Sequence, residues 1–165
     1  RPPHGPASSR PPPSETESGP GGEAPSRPLA VIECPEEIPC NPCEASCEFG
    51  AITVGDDITS LPRFDAEKCT GCGQCVRDCP GLAIFVVHLG AAPGKANVTI
   101  PFELPGLPEN GERVIGLSRE GEPVCEAEVS RVSPGRAPGE TALVTLSVPE
   151  QFGQVVRAFC RRVGE

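Results

Sequence analysis

The chain has 165 residues, of which ten are Cys, 22 are Pro and 19 are Gly, and only 4% are aromatic. This composition is thin for one large apolar core, so we expect metal clusters or disulfides to stabilise the fold. The net charge of −9 and the lack of Tyr and Trp argue against a nucleic-acid partner, because an acidic surface repels phosphates. No stretch reaches the roughly 18 apolar residues of a membrane span and no apolar leader is visible, so we expect no membrane span and a cytoplasmic location.

Residues 1–28 consist mostly of Pro, Gly, Ser and charged residues. Such a segment buries too little apolar surface to offset the entropy lost on ordering. We therefore predict a disordered or extended arm.

Residues 29–90 contain an internal repeat with an offset of 32 residues. Each half predicts a cysteine loop, a short helical turn and a strand, the strands being residues 51–54 and 83–87. Gly55 and the two aspartates after it predict a hairpin turn that leads into residues 58–64. This segment carries ten acidic and three basic residues, net −7. Such a surface either steers a basic docking surface of a protein partner or serves solubility alone.

The second cysteine set has the spacing C-x2-C-x2-C-x3-C-P and consists of Cys69, Cys72, Cys75 and Cys79. This spacing is typical of chains with two clusters, in which three thiolates on a tight loop bind one cluster and the fourth binds the other. Gly71 and Gly73 allow the backbone to wrap closely around the sulfides. Structural zinc and disulfides are the alternatives, but zinc sites usually pair two separate C-x2-C units.

The first cysteine set, Cys34, Cys40, Cys43 and Cys47, has a first gap of five residues instead of two. The repeat places Glu37 where the equivalent of Cys69 belongs, so residues 35–39 must bulge to bring Cys34 to a cluster. We assign to cluster I the thiolates of Cys34, Cys40, Cys43 and Cys79. We assign to cluster II those of Cys69, Cys72, Cys75 and Cys47. A [3Fe–4S] cluster at the Cys34 site, with one corner unligated, is the alternative.

Residues 91–165 predict a small, mostly antiparallel β module. Its β-rich runs are residues 98–100, 114–117, 124–132 and 142–148, separated by Gly and Pro turns, with a hairpin turn at 119–122. Pro149 is expected to open a C-terminal helix, since the apolar residues 152, 155, 156 and 159 have helical spacing. Cys125 and Cys160 are interpreted as small buried hydrophobic residues. No catalytic residue stands out, so any chemistry is expected to be one-electron transfer.

Both cysteine sets, residues 50–52 and the CxGCGxC core at 69–75 make residues 31–88 resemble the bacterial 2[4Fe–4S] ferredoxin family. The resemblance implies two βαβ-like halves that pass single low-potential electrons between clusters. We therefore expect an α+β chain with a dicluster ferredoxin-like domain in 29–90, followed by the β module with its C-terminal helix in 91–165.

The run IPCNPC at residues 38–43, with GERV at 111–114 and SREG at 118–121, resembles the small iron–sulfur subunits of FAD-dependent amino- or imino-acid dehydrogenases of the proline and hydroxyproline type. This resemblance implies a hetero-oligomer with a flavoprotein dehydrogenase subunit and FAD on that partner chain. The alternatives are a free soluble ferredoxin shuttle and a non-redox protein in which clusters or zinc only brace the fold.

Overall fold

A computed structural model describes residues 27–137 and 139–161, and it is built mainly of strands. Two short helices, α1 (Pro42–Ala45) and α2 (Gln74–Asp78), each carry one cysteine of a predicted set. The strands of the described residues are β1 (Leu29–Ile32), β2 (Ile52–Thr53), β3 (Arg63–Phe64), β4 (Ile84–Ala92), β5 (Lys95–Phe102), β6 (Arg113–Leu117), β7 (Pro123–Ser133), β8 (Ala142–Pro149) and β9 (Ala158–Arg161). A 3-10 turn, Glu150–Phe152, follows β8.

The first half of the described chain follows the predicted repeat of cysteine loop, helical turn and strand. α1 precedes β2, and α2 precedes β4. The hairpin expected after Gly55 is present, because Ile52 on β2 pairs with Phe64 on β3 in an antiparallel register. The backbone N–H of Asp65 also donates to the carbonyl of Ala51 over 2.8 Å. The sequence was sufficient to predict these elements because the paired strands are neighbours along the chain.

Seven strands form one antiparallel sheet in the order β1-β4-β5-β8-β7-β6-β9. The strands β1 and β4, which belong to the cysteine-rich half, pair with each other from Leu29 with Val87 to Ile32 with Ile84. β4 then pairs with β5, Val86 facing Thr99, so the sheet continues from one half of the chain into the other. The β runs predicted in residues 98–148 all lie in this sheet as β5 to β8.

Successive residues of β4 point to opposite faces of the sheet and so belong to two different cores. Val86 packs on the side that also contains Val76 and the buried cysteines. Phe85 and Val87 pack on the other side, among apolar residues of β5 to β8 such as Leu146. The cysteine loops therefore cover one face of a sheet whose opposite face has its own apolar core.

The predicted C-terminal helix from Pro149 to Phe159 is wrong. The chain makes only the 3-10 turn and then enters β9, which pairs with β6 through Gly116 and Phe159. A Cβ on Gly153 would lie 2.7 Å from the Cδ2 atom of Leu89, so the backbone approaches the sheet closely at this glycine. A helix that continued past Gly153 would not preserve this contact. The edge of β6 then pairs with the backbone of β9, from Leu117 with Ala158 to Val114 with Arg161.

The predicted arm, residues 1–28, lies outside the described residues except for Arg27 and Pro28. The guanidinium of Arg27 donates to the backbone carbonyls of Cys69 and Ala66. This end of the predicted arm thus contacts the second cysteine loop.

Candidate functional site

The second cysteine loop runs from Cys69 to Gly73 and leads directly into α2. Gly71 and Gly73 both have positive φ, of 68° and 81°, which side chains larger than hydrogen rarely adopt. A Cβ on Gly71 would lie 2.6 Å from the Cβ atom of Pro28, so the loop also needs glycine here for close packing. The Sγ of Cys69 accepts hydrogen bonds from the N–H of Gly71 in this loop and from the N–H of Ala30 on β1, each over 3.4 Å.

Four thiols surround one cavity at the end of this loop, and one of them comes from the first cysteine set. Burial raises the pKa of the Cys75 thiol to about 12, and the nearby thiols of three further cysteines add to the increase. These neighbours are Cys72, Cys69 and Cys47. All four cysteines line one pocket, together with apolar residues that include Phe49 and Ile52. We call Cys47, Cys69, Cys72 and Cys75 the group II thiols.

A second group of thiols also combines cysteines from both sequence sets. Cys43 lies in α1, and burial raises the pKa of its thiol, with further increases from Cys79 and Cys40. Cys79 is the last cysteine of the second set, and it ends α2 with an extended backbone. We call Cys40, Cys43 and Cys79 the group I thiols. Cys79 thus lies near two thiols of the first set, and the exchange of the fourth ligand between the two sets stays a prediction.

Cys34 lies just after β1 and is half-buried. Its position is set by the backbone around it, since the N–H of Glu33 donates to the carbonyl of Ala83 over 2.8 Å. Downstream, the N–H of Cys40 donates to the carbonyl of Ile58 over 3.2 Å, which fixes the other end of the exposed residues 35–39. Cys34 packs against the core that contains Cys43 and Cys79 of group I and also two group II cysteines. Its assignment as the fourth ligand of cluster I stays a prediction.

The donor set fits iron–sulfur clusters in its chemistry. Both groups offer thiols, the soft ligands that iron–sulfur clusters take. The N–H of Ala51 donates to the Sγ of Cys47 over 3.2 Å, which adds to the two N–H groups at Cys69. Such N–H groups at ligand sulfur tune the reduction potential of a bound cluster. Within residues 27–137 and 139–161, no group of three or more His, Cys, Asp or Glu side chains is placed to hold a single metal ion.

The other two cysteines lie away from both groups. Cys125 is half-buried on β7, and burial raises the pKa of its thiol. Cys160 is exposed on β9, so its interpretation as a buried hydrophobic residue is wrong. The reason is the edge position of β9, which leaves one side of this strand without a neighbour among the described strands.

The sequence analysis did not identify Arg77, which anchors the helix that follows the second cysteine loop. Arg77 of α2 donates to the backbone carbonyls of Pro134 and Thr141 and to the hydroxyl of Ser133. This connects α2 to the loop between β7 and β8, 56 to 64 residues away. Spacing motifs report only neighbours along the chain, so contacts of this range are outside what they predict.

The comparison with protein families matches residues 38–83 to the 4Fe-4S dicluster domain. The chain is 55% identical over 38 residues to a component of the Na(+)-translocating ferredoxin:NAD(+) oxidoreductase complex of Acetobacterium woodii, a match that covers 23% of this chain and 11% of that protein. It is 49% identical over 47 residues to a component of an ion-translocating oxidoreductase complex of Methanosarcina acetivorans, covering 28% and 17%. It is 37% identical over 54 residues to the polyferredoxin-like subunit of an aliphatic sulfonate oxidoreductase of Pyrococcus furiosus, covering 33% and 28%.

Each of these matches thus spans at most 28% of the length of the relative. No solved structure matches the chain significantly. None of the helices in the described residues is long and apolar enough to cross a membrane. The matched segment begins before Cys40 and ends after Cys79, so it contains the group I and group II thiols. Residues 38–83 thus match a 4Fe-4S dicluster domain, and this part of the chain is similar to subunits of oxidoreductase complexes.

Proposed function

We propose that this chain relays single electrons through two [4Fe–4S] clusters as a subunit of an oxidoreductase complex. Cluster I is held by Cys34, Cys40, Cys43 and Cys79. Cluster II is held by Cys69, Cys72, Cys75 and Cys47. The observation that carries the proposal is that one thiol of each set lies with the other set: Cys47 lines the same pocket as Cys75, and Cys79 lies near Cys43. Ligands exchanged between two motifs belong to chains that hold two clusters close together.

The protein positions the thiols, shields them from water and adjusts the reduction potential of a cluster bound to them. A bound cluster supplies reversible one-electron chemistry. The burial of Cys43, Cys69, Cys75 and Cys79 keeps water from the ligand sulfurs. The N–H groups of Ala30, Gly71 and Ala51 at ligand sulfur favour added negative charge, so they raise the reduction potential. Because burial raises the pKa of Cys43 and Cys75, metal must displace protons from these thiols on loading.

The partner in this proposal is a flavoprotein dehydrogenase subunit that carries FAD. Support for a complex comes from the relatives, whose names describe subunits of oxidoreductase complexes. Assignment to an amino- or imino-acid dehydrogenase of the proline or hydroxyproline type rests on the sequence resemblance alone. In this arrangement residues 29–90 transfer electrons, residues 91–165 dock the partner, and residues 1–28 form an arm. A cytoplasmic location stays a prediction.

The experiment is anaerobic purification of the native protein with its bound partners, followed by flavin, iron and sulfide analysis. The proposal predicts a second chain with FAD and a protein whose clusters are reduced on titration with dithionite. A reducible protein that elutes alone would support a free shuttle instead. Zinc in place of iron would support a structural metal site.

A matched pair of variants makes the assignment specific. Cys75→Ser removes a buried group II thiol, whereas Cys160→Ser changes an exposed cysteine outside both groups. We expect Cys75→Ser to lose about half of the iron and Cys160→Ser to keep it. Equal iron content in the two variants would contradict the ligand assignment.

A further inference from the structure

A groove lies beside Cys72, the exposed thiol of group II. One side of the groove is the cysteine loop, residues 71–74. The other side is the face of the sheet formed by β5, β8 and β7, which contributes Thr99, Thr145 and Arg131. The hydroxyls of Thr99 and Thr145 lie 2.8 Å apart and hydrogen-bond across the paired strands. The groove thus leads from solvent to a cluster II ligand.

The charge of this groove is opposite to that of the cysteine-rich half. Its described lining residues include Arg77, Arg131 and Arg136, and no aspartate or glutamate is among them. Residues 29–90 as a whole carry ten acidic and three basic residues. An approaching molecule therefore meets positive charge at Cys72, although the segment that contains Cys72 is acidic as a whole.

The three arginines have different roles. Arg77 donates hydrogen bonds to Pro134, Thr141 and Ser133. These bonds fix its side chain, which forms part of the groove wall. Arg131 and Arg136 are exposed, and the side chain of neither makes a hydrogen bond or an ion pair with another described residue. Their guanidinium groups are available to bind carboxylates, for which the planar donor geometry of arginine is well suited.

We propose that the groove is the docking surface of an acidic redox protein. Carboxylates of that protein pair with Arg131 and Arg136, and its redox centre approaches cluster II through Cys72. One electron then passes from the reduced cluster to an oxidised centre of the partner, or from a reduced centre of the partner to the oxidised cluster, and no bond is made or broken. This inference rests on the proposed function. The acidic cysteine-rich half suggested a partner with a basic docking surface, whereas this groove fits a partner with an acidic one.

A protein surface fits the groove better than a small anion. A site for a small anion usually encloses it with buried charged donors, whereas Arg131 and Arg136 are both exposed. One lies on a strand and the other on the loop after it, so their charges are spread along an open surface. Exposed charges of this kind steer the encounter of two proteins and raise the association rate by roughly 10- to 1,000-fold.

The test compares the double variant R131E/R136E with the control R63E/R113E. Arg63 and Arg113 are also exposed arginines, and they lie outside the groove, so both variants change the net charge equally. The reduced proteins are mixed with an acidic flavodoxin or with basic cytochrome c, and the second-order rate constant of electron transfer is measured at low and high salt. R131Q/R136Q repeats the test without charge reversal.

We expect R131E/R136E to reduce flavodoxin at least about tenfold more slowly than the control variant at low salt. The difference should shrink as salt screens the charges, and the rate with cytochrome c should not fall. Equal rates for the two double variants would overturn the inference, even if the clusters of both titrate normally. A protein without reducible clusters would overturn the proposed function and this inference with it.

Discussion

The guanidinium of Arg157 contacts the carboxylate of Glu33, with Nε 2.6 Å from Oε1. Arg157 is buried, and only 6% of its side chain is exposed. Its guanidinium carbon also lies 5.1 Å from the ring centre of Phe85. Arg119 binds the other carboxylate oxygen of Glu33 over 2.9 Å. Because Glu33 directly precedes Cys34, this ion pair joins the second half of the chain to the irregular end of the first cysteine set.

Replacing Glu33 with alanine should therefore destabilise the protein and loosen Cys34. Glu33→Ala leaves buried Arg157 without an anion, and a change of this kind costs about 3 kcal/mol. The measurement is denaturant-induced loss of the visible cluster absorbance, compared with Glu36→Ala, since Glu36 is exposed three residues further on. We expect the control to stay within about 0.5 kcal/mol of the parent. If the two variants lose absorbance at the same denaturant concentration, Glu33 does not hold this region.

The exchange of thiols predicts an unusual pattern in serine variants. Cys79→Ser should remove the spectroscopic signal that Cys40→Ser removes, because Cys79 and Cys40 both lie near Cys43. It should preserve the signal that depends on Cys72, although Cys72 belongs to the same sequence motif as Cys79. Electron paramagnetic resonance of the reduced variants measures this directly.

The opposite pattern would show that each motif binds its own cluster. Cys47→Ser provides the complementary variant, since Cys47 lies near Cys75 and should affect the Cys72 signal. An oxidised parent protein with a three-iron signal would show instead that Cys34 is not a ligand.

Gly71→Ala should impair the second cysteine loop. Its φ of 68° costs a residue with a side chain about 1–2 kcal/mol, and the new methyl would overlap Pro28. Gly81→Ala is the matched control, because no atom lies within 4 Å of the added Cβ there. We expect faster iron loss from Gly71→Ala alone, measured with a chromogenic chelator under anaerobic conditions. Equal rates of iron loss would mean that the loop tolerates a side chain at this position.

The local part of the structure was predictable from the sequence. The cysteine spacing and the offset of 32 residues predicted the loops, the helical turns and the hairpin after Gly55, since each depends on residues close in the chain. The β runs after residue 95 were equally visible from composition. The positions of Cys47 near the second set and of Cys79 near Cys43 were predictable, because the spacing of the motif points the fourth thiolate away from its own loop. Their roles as exchanged ligands stay a prediction.

The long-range part was not predictable. Residues 152–159 have helical spacing, but the free edge of β6 and the close approach at Gly153 favour a turn and a strand. Arg157 and Glu33 are 124 residues apart, and nothing in either local sequence identifies the other. The basic groove likewise combines arginines from α2, β7 and the following loop. The net charge of the chain is −9, so the total charge gives no indication of this local positive charge.

The most direct test of the central claim is the metal content of anaerobically purified protein, combined with a reductive titration. Two [4Fe–4S] clusters predict about eight iron and eight sulfide per chain and the uptake of about two electrons. A colourless, iron-free protein, or one that holds zinc and takes up no electrons, would contradict the account.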